Sequence, residues 1–118
     1  MKERMELLLS AGVITQFACD ATMNASKTLQ VEWGVDLGTE QVQMAMTHFA
    51  RAIDRIVTNE VILEGLCADI LQEIAVDEVF PEIQRVNTLM CKNCGIENVP
   101  ETENSFFISN LYSIFLNR

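Results

Sequence analysis

Little in this sequence interrupts a helix. Five glycines and two prolines serve all 118 residues. That is thin punctuation for an all-β chain and suits long helices. Basic residues are scarce too: eight Lys and Arg face 17 Asp and Glu, a formal net charge of −9. Such a chain repels phosphate backbones, so direct DNA or RNA binding is disfavoured, as is an anionic membrane surface. No run approaches the ~18 uninterrupted apolar residues of a membrane-spanning helix, so no membrane insertion is expected. The start, Met1 to Leu9, combines basic residues with leucines. Glu6 and Gln16 break the apolar run, however, and no small-residue cleavage site follows, so a signal peptide is not expected. Gly-rich phosphate loops and a G-x-S-x-G nucleophile elbow are also missing, and an enzyme is not expected.

What is present is apolar enough to fold. Apolar residues make up 49% of the chain and charged residues 21%, the balance of a globular domain with its own core. The whole of residues 1–118 reads as one domain, with 1–12 an N-terminal extension or short helix. Thr39 is a good N-cap, and Val42, Ala45, Met46, Phe49, Ala52, Ile53 and Ile56 follow as one apolar stripe, which predicts an amphipathic helix. A helix from Val13 to Trp33 precedes it and stops at Gly34. A third is predicted over Val61 to Ala75, with Leu63, Leu66, Cys67, Ile70, Leu71 and Ile74 as its stripe. Pro81 opens a fourth, which runs to Cys94, and Pro100 a fifth. Helix after helix with short connections predicts an all-α, five-helix antiparallel bundle.

Four cysteines occur: Cys19, Cys67, Cys91 and Cys94. Cys19 and Cys67 lie among helical apolar residues and are expected in the core. Cys91-Lys92-Asn93-Cys94 is a single C-x-x-C without the four-ligand set zinc prefers and without a preceding strand. It reads as two thiols at a helix end, so no metal and no cofactor is expected. A redox or zinc role is the competing reading. Reduced thiols and the absence of export signals point to the cytoplasm.

His48 is the chain's one histidine. A lone histidine on a helix is more often structural or simply solvated. Its neighbours favour a function. Arg51 and Arg55 lie three and seven positions on, along the same helical face. Two of the few cations thus flank the imidazole, and they would stabilise an anion placed on it, a phosphoryl group above all. Between Ile56 and Gln84 there are seven acids and no base. Glu60 with Glu64, and Asp69 with Glu73 and Asp77, fall on shared helical faces, most simply as solvated surface or as a docking face for a basic partner. Trp33 and Tyr112 stand alone and read as packing residues.

Two stretches resemble the PTS regulation domain, the helical phosphoacceptor module of sugar-responsive bacterial regulators. One is Thr47-His48-Phe49-Ala50-Arg51-Ala52-Ile53-Asp54-Arg55. It is similar to that family's His, three residues, Ala-Ile, an acidic or polar residue, then Arg. The other runs from Gly95-Ile96 through Val99-Pro100-Glu101 and Glu103 to Phe106-Phe107. It is similar to the run that enters the family's last helix. The resemblance covers about residues 13 to 118. It implies a regulatory protein whose His48 accepts a phosphoryl group from the phosphocarrier HPr or from a IIB component. Arg55 falls on the Arg of the family's pattern, and together with Arg51, which shares the helical face of His48, it is expected to contact the phosphate or its donor. A homodimer is implied as well, signalling through protein contacts. The second phosphoacceptor position of the family falls on Asn110, and the acidic residue often found before the first histidine is Thr47. No residues are left over for a nucleic-acid-binding output domain, so the output is expected to pass through a second, unidentified protein. A helical interaction protein that keeps only the fold is the alternative.

Overall fold

The computed structural model describes residues 1–118 and is entirely helical. Its elements are α1 (Lys2–Ser10), α2 (Gln16–Trp33), α3 (Glu40–Val57), α4 (Ala68–Ala75), α5 (Phe80–Asn93) and α6 (Glu101–Asn117). No helix is long and apolar enough to cross a membrane. The count is six rather than five because the N-terminal segment earns a place in the bundle. Met5 is fully buried, and Arg4 donates from Nε to the Thr47 hydroxyl at 2.9 Å, tying α1 to α3.

Helix α2 lies at the centre, packed against α3 and α5, with α1 along it. Its buried face is Ala18, Cys19, Ala21, Thr22, Ala25, Ser26, Thr28 and Leu29. Small side chains let neighbouring helices approach closely on more than one side, and that explains how one helix serves three partners. The Thr15 hydroxyl caps it by accepting from the Ala18 N–H at 3.2 Å. The same hydroxyl donates to Asp54 Oδ1 at 2.6 Å, which fastens the start of α2 to the end of α3. Gly34 ends α2 at φ +64°, a left-handed turn that a side chain would resist. Thr39 caps α3 as its sequence predicts, accepting from the Val42 N–H at 3.3 Å.

The predicted third helix is corrected. Only Ala68–Ala75 is helical, and residues 58–67 run as an irregular strap. Three restraints override the helical pattern. Asn59 turns the chain at φ +60°, the Glu60 N–H returns to the Arg55 carbonyl at 2.8 Å, and the Leu66 N–H donates to Ser105 Oγ at 2.9 Å. The predicted stripe is therefore broken: Ile74 is buried, Leu66 and Leu71 are half-buried, and Leu63 is 93% exposed. Cys67, expected in the core, is exposed at the start of α4. Glu60 and Glu64 share no helical face.

Trp33 is more than packing. Its Nε1–H donates to Glu82 Oε2 at 2.9 Å, and Phe115 meets its ring edge-on at 5.0 Å between centroids. Arg85 grips the same carboxylate with two hydrogen bonds, and a 2.8 Å ion pair links it to Glu32. The Arg85 bonds, helped by Trp33, hold the Glu82 carboxyl down to about 2. A depressed folded-state pKa gives stability that is present above the unfolded value and lost as pH falls through the folded one. Stability should therefore decline as pH drops from about 4.5 toward about 2, reported by the single tryptophan. Glu82→Gln should flatten that decline in urea melts followed by Trp33 fluorescence. An unchanged pH profile in the variant would contradict the assignment.

Candidate functional site

The last turns of α3, the first turns of α6 and the strap enclose a cavity of about 400 Å³. Helix α3 contributes His48, Phe49, Ala52 and Arg55, the strap Ile62, and α6 Glu103, Phe106, Phe107 and Asn110. The amphipathic register of α3 explains the placement. Phe49, Ala52 and Ile53 are buried, which rolls His48 to an exposed position at the rim and leaves Arg55 half-buried. Phe49 and Phe107 stack at 4.8 Å between ring centroids, tilted by 51°, and form the apolar floor.

Arg55 and Glu103 make the site's strongest polar contact. Arg55 Nε donates to Glu103 Oε2 at 2.8 Å and Nη2 donates to Oε1 at 2.9 Å. Glu103 is 1% exposed, whereas a third of the Arg55 side chain reaches solvent. This two-point geometry matches the fork of a guanidinium to a carboxylate. Both charges also suit their helices, with Arg55 in the last turn of α3 and Glu103 in the first turn of α6. The hydrogen bonds to Glu103 raise the Arg55 pKa further above its ordinary value.

Of the residues picked out from sequence, His48, Arg55 and Asn110 come together on this cavity. Arg51 does not; it is exposed on α3 and outside the lining. Thr47 faces away from the imidazole's chemistry: its hydroxyl accepts from Arg4 and donates to the Gln43 carbonyl at 2.8 Å. Glu103 was legible only as a letter in the Pro-Glu-x-Glu run; nothing in the sequence showed that its carboxylate would meet Arg55. Ile62 and Phe106 are likewise walls that sequence reasoning missed. An imidazole without a hydrogen-bond partner, lining one cavity with a clamped guanidinium two helical turns on, can act as a nucleophile toward an electrophilic phosphorus, and Arg55 keeps N–H groups that Glu103 does not occupy.

Cys91 and Cys94 lie elsewhere. Both are buried; Cys94 Sγ donates to the Ala21 carbonyl at 3.0 Å, and Cys91 faces Asn87 Oδ1 at 3.9 Å. Burial pushes the Cys91 thiol up to about 11 and the Cys94 thiol up to about 12. Low thiolate content makes both poor nucleophiles and poor metal ligands at neutral pH. No group of three or more His, Cys, Asp or Glu side chains is gathered as a metal site. In a titration with an aromatic disulfide at pH 8, the exposed Cys67 should react at once. Cys19, Cys91 and Cys94 should react only after urea unfolds the chain. Fast reaction of a second thiol would contradict the burial of the C-x-x-C pair.

No established family profile matches the chain, and no solved structure matches it. Two bacterial relatives do. The uncharacterized protein YhfY of Escherichia coli (strain K12) is 31% identical over 116 residues, spanning 98% of this chain and 95% of its own length. An uncharacterized protein of Haemophilus influenzae (strain ATCC 51907 / DSM 11121 / KW20 / Rd) is 25% identical over 103 residues, spanning 87% of this chain and 81% of its own length. At that identity and near end-to-end coverage, the chain belongs to the family of Escherichia coli YhfY.

Proposed function

We propose that this protein is a regulatory module of the PTS-regulation-domain type, phosphorylated on His48 by phosphotransferase components and signalling through protein contacts as a homodimer. The observation that carries the reading is the convergence of the two motifs that carry the resemblance. His48 and Asn110, at the two positions where the resembled PTS regulation domain carries phosphoacceptors, line one cavity, and Arg55 of the first motif is bonded to Glu103 of the second. In the transfer, the lone pair of a neutral His48 nitrogen attacks the phosphorus of phospho-HPr or of a phosphorylated IIB component. The bond from phosphorus to the donor breaks, and its electron pair stays with the donor. The unused N–H groups of Arg55, and Arg51 one turn from His48, offset the new charge.

A second reading, an interaction protein that keeps the fold without phosphorylation, is favoured by two features. Asn110 replaces an acceptor, and Arg55 is already committed to Glu103.

Incubation with phosphoenolpyruvate, enzyme I and HPr separates the two. The first reading expects acid-labile label on the wild type and none on His48→Ala. It expects labelling slowed about tenfold by Arg55→Ala, the loss of one charge-assisted contact, and less by Arg51→Ala. A folded wild type that takes no label from HPr or from any IIB donor favours the second reading.

A further inference from the structure

The strap, the cavity and the Arg55–Glu103 pair are mechanically joined. The strap leaves α3 at a hydrogen bond from the Glu60 N–H to the carbonyl of Arg55 itself. Its middle, Ile62, forms a wall of the His48 cavity. Its far end rests on the first turn of α6, the turn that carries Glu103. There the Leu66 N–H donates to Ser105 Oγ, which in turn donates to the Thr102 carbonyl at 2.8 Å. Gly65 permits that seat: a Cβ at this position would lie 2.8 Å from Ser105 Oγ and 3.2 Å from Thr102 Cα. The strap is held there against its own helical pattern. Leu63, the first residue of the predicted apolar stripe, is left 93% exposed. A segment whose local preference conflicts with its fixed conformation is poised to open at low cost.

We infer that an anion fixed on His48 draws the Arg55 guanidinium from Glu103, and that this exchange releases the strap of residues 58–67 from the first turn of α6. The inference rests on the reading that His48 is modified. A phosphoryl group carries close to two negative charges against one on the carboxylate. Arg55 already lines the cavity and has N–H groups that Glu103 does not occupy. Once the guanidinium leaves, the buried Glu103 carboxylate has lost its charge partner. The first turn of α6 then has to admit water. Thr102, which with Ser105 seats Gly65 and Leu66, lies on that turn, and Ser105 follows it directly. The released strap uncovers Ile62 and Leu66 beside the already exposed Leu63, and with Glu60 and Glu64 flanking them this forms a larger apolar surface in an acidic setting. Histidine chemistry is thereby converted into a change of shape that a second protein can read.

The test uses the full chain and no protein donor. Phosphoramidate phosphorylates imidazole directly: a His48 nitrogen lone pair attacks phosphorus, the phosphorus–nitrogen bond of the reagent breaks, and ammonia leaves. The readouts are hydrogen exchange at the Leu66 amide and the ¹⁵N resonance of Arg55 Nε. His48→Glu, at an exposed position, supplies a fixed carboxylate without any reagent. Phosphorylation is expected to cut Leu66 protection by about tenfold or more and to shift the Arg55 resonance, with a smaller change in the same direction for His48→Glu. If phosphohistidine forms, or His48→Glu folds, while Leu66 keeps its protection and Arg55 its resonance, the exchange does not occur. Should phosphoramidate leave His48 unmodified, the His48→Glu result alone decides. Failure of HPr to label the protein counts against the proposed donor and leaves this measurement untouched.

Discussion

A two-point ion pair between Arg55 and a carboxylate with almost no access to water holds the His48 end of this structure together. Glu103 is buried at the first turn of α6, and a buried carboxylate without a partner is among the most destabilising features a fold can carry. Arg55 therefore fixes where α6 begins relative to the end of α3. That placement sets the Phe49–Phe107 contact, the cavity behind His48 and the seat on which the strap rests. The pair is also where charge, helix dipoles and hydrogen-bond geometry agree, so it is specific as well as strong.

The remainder of the bundle supplies a rigid frame. Small residues on α2 let α1, α3 and α5 close around it, and Thr15 ties its start to Asp54 at the end of α3. At its other end, the Trp33, Glu82, Arg85 and Glu32 cluster joins α2 to α5. Asp54 is instructive. It lies inside the motif that contains His48, yet its work is to anchor a neighbouring helix. A motif can thus mix groups available for chemistry with groups that position them.

Much of the fold was legible in the sequence because it is local. The stripe of α3, its Thr39 cap and the Gly34 stop each depend on residues within a few turns. The strap was not legible. Its apolar spacing is helical, and the restraints that overrule it come from Asn59, Arg55 and Ser105, the last far away in sequence. Cys67 was misplaced for the same reason. At the site, helical spacing aligned His48 with Arg55 but could not roll the helix, so Arg51 was grouped with them although it faces solvent. Glu103 was hidden because a pairing across helices leaves no periodic trace.

The proposed link between His48 and α6 depends on whether Arg55 and Glu103 are energetically one unit, and a double-mutant cycle measures that directly. Urea melts of Arg55→Ala, Glu103→Ala and the double variant give the coupling. The account predicts that Arg55→Ala costs about 3 kcal/mol because it strands a buried carboxylate. It also predicts that the double variant costs little more than either single change, a coupling of about 2 kcal/mol. Additive costs, with coupling below about 0.5 kcal/mol, would show that the pair does not hold α3 to α6 and would contradict the account.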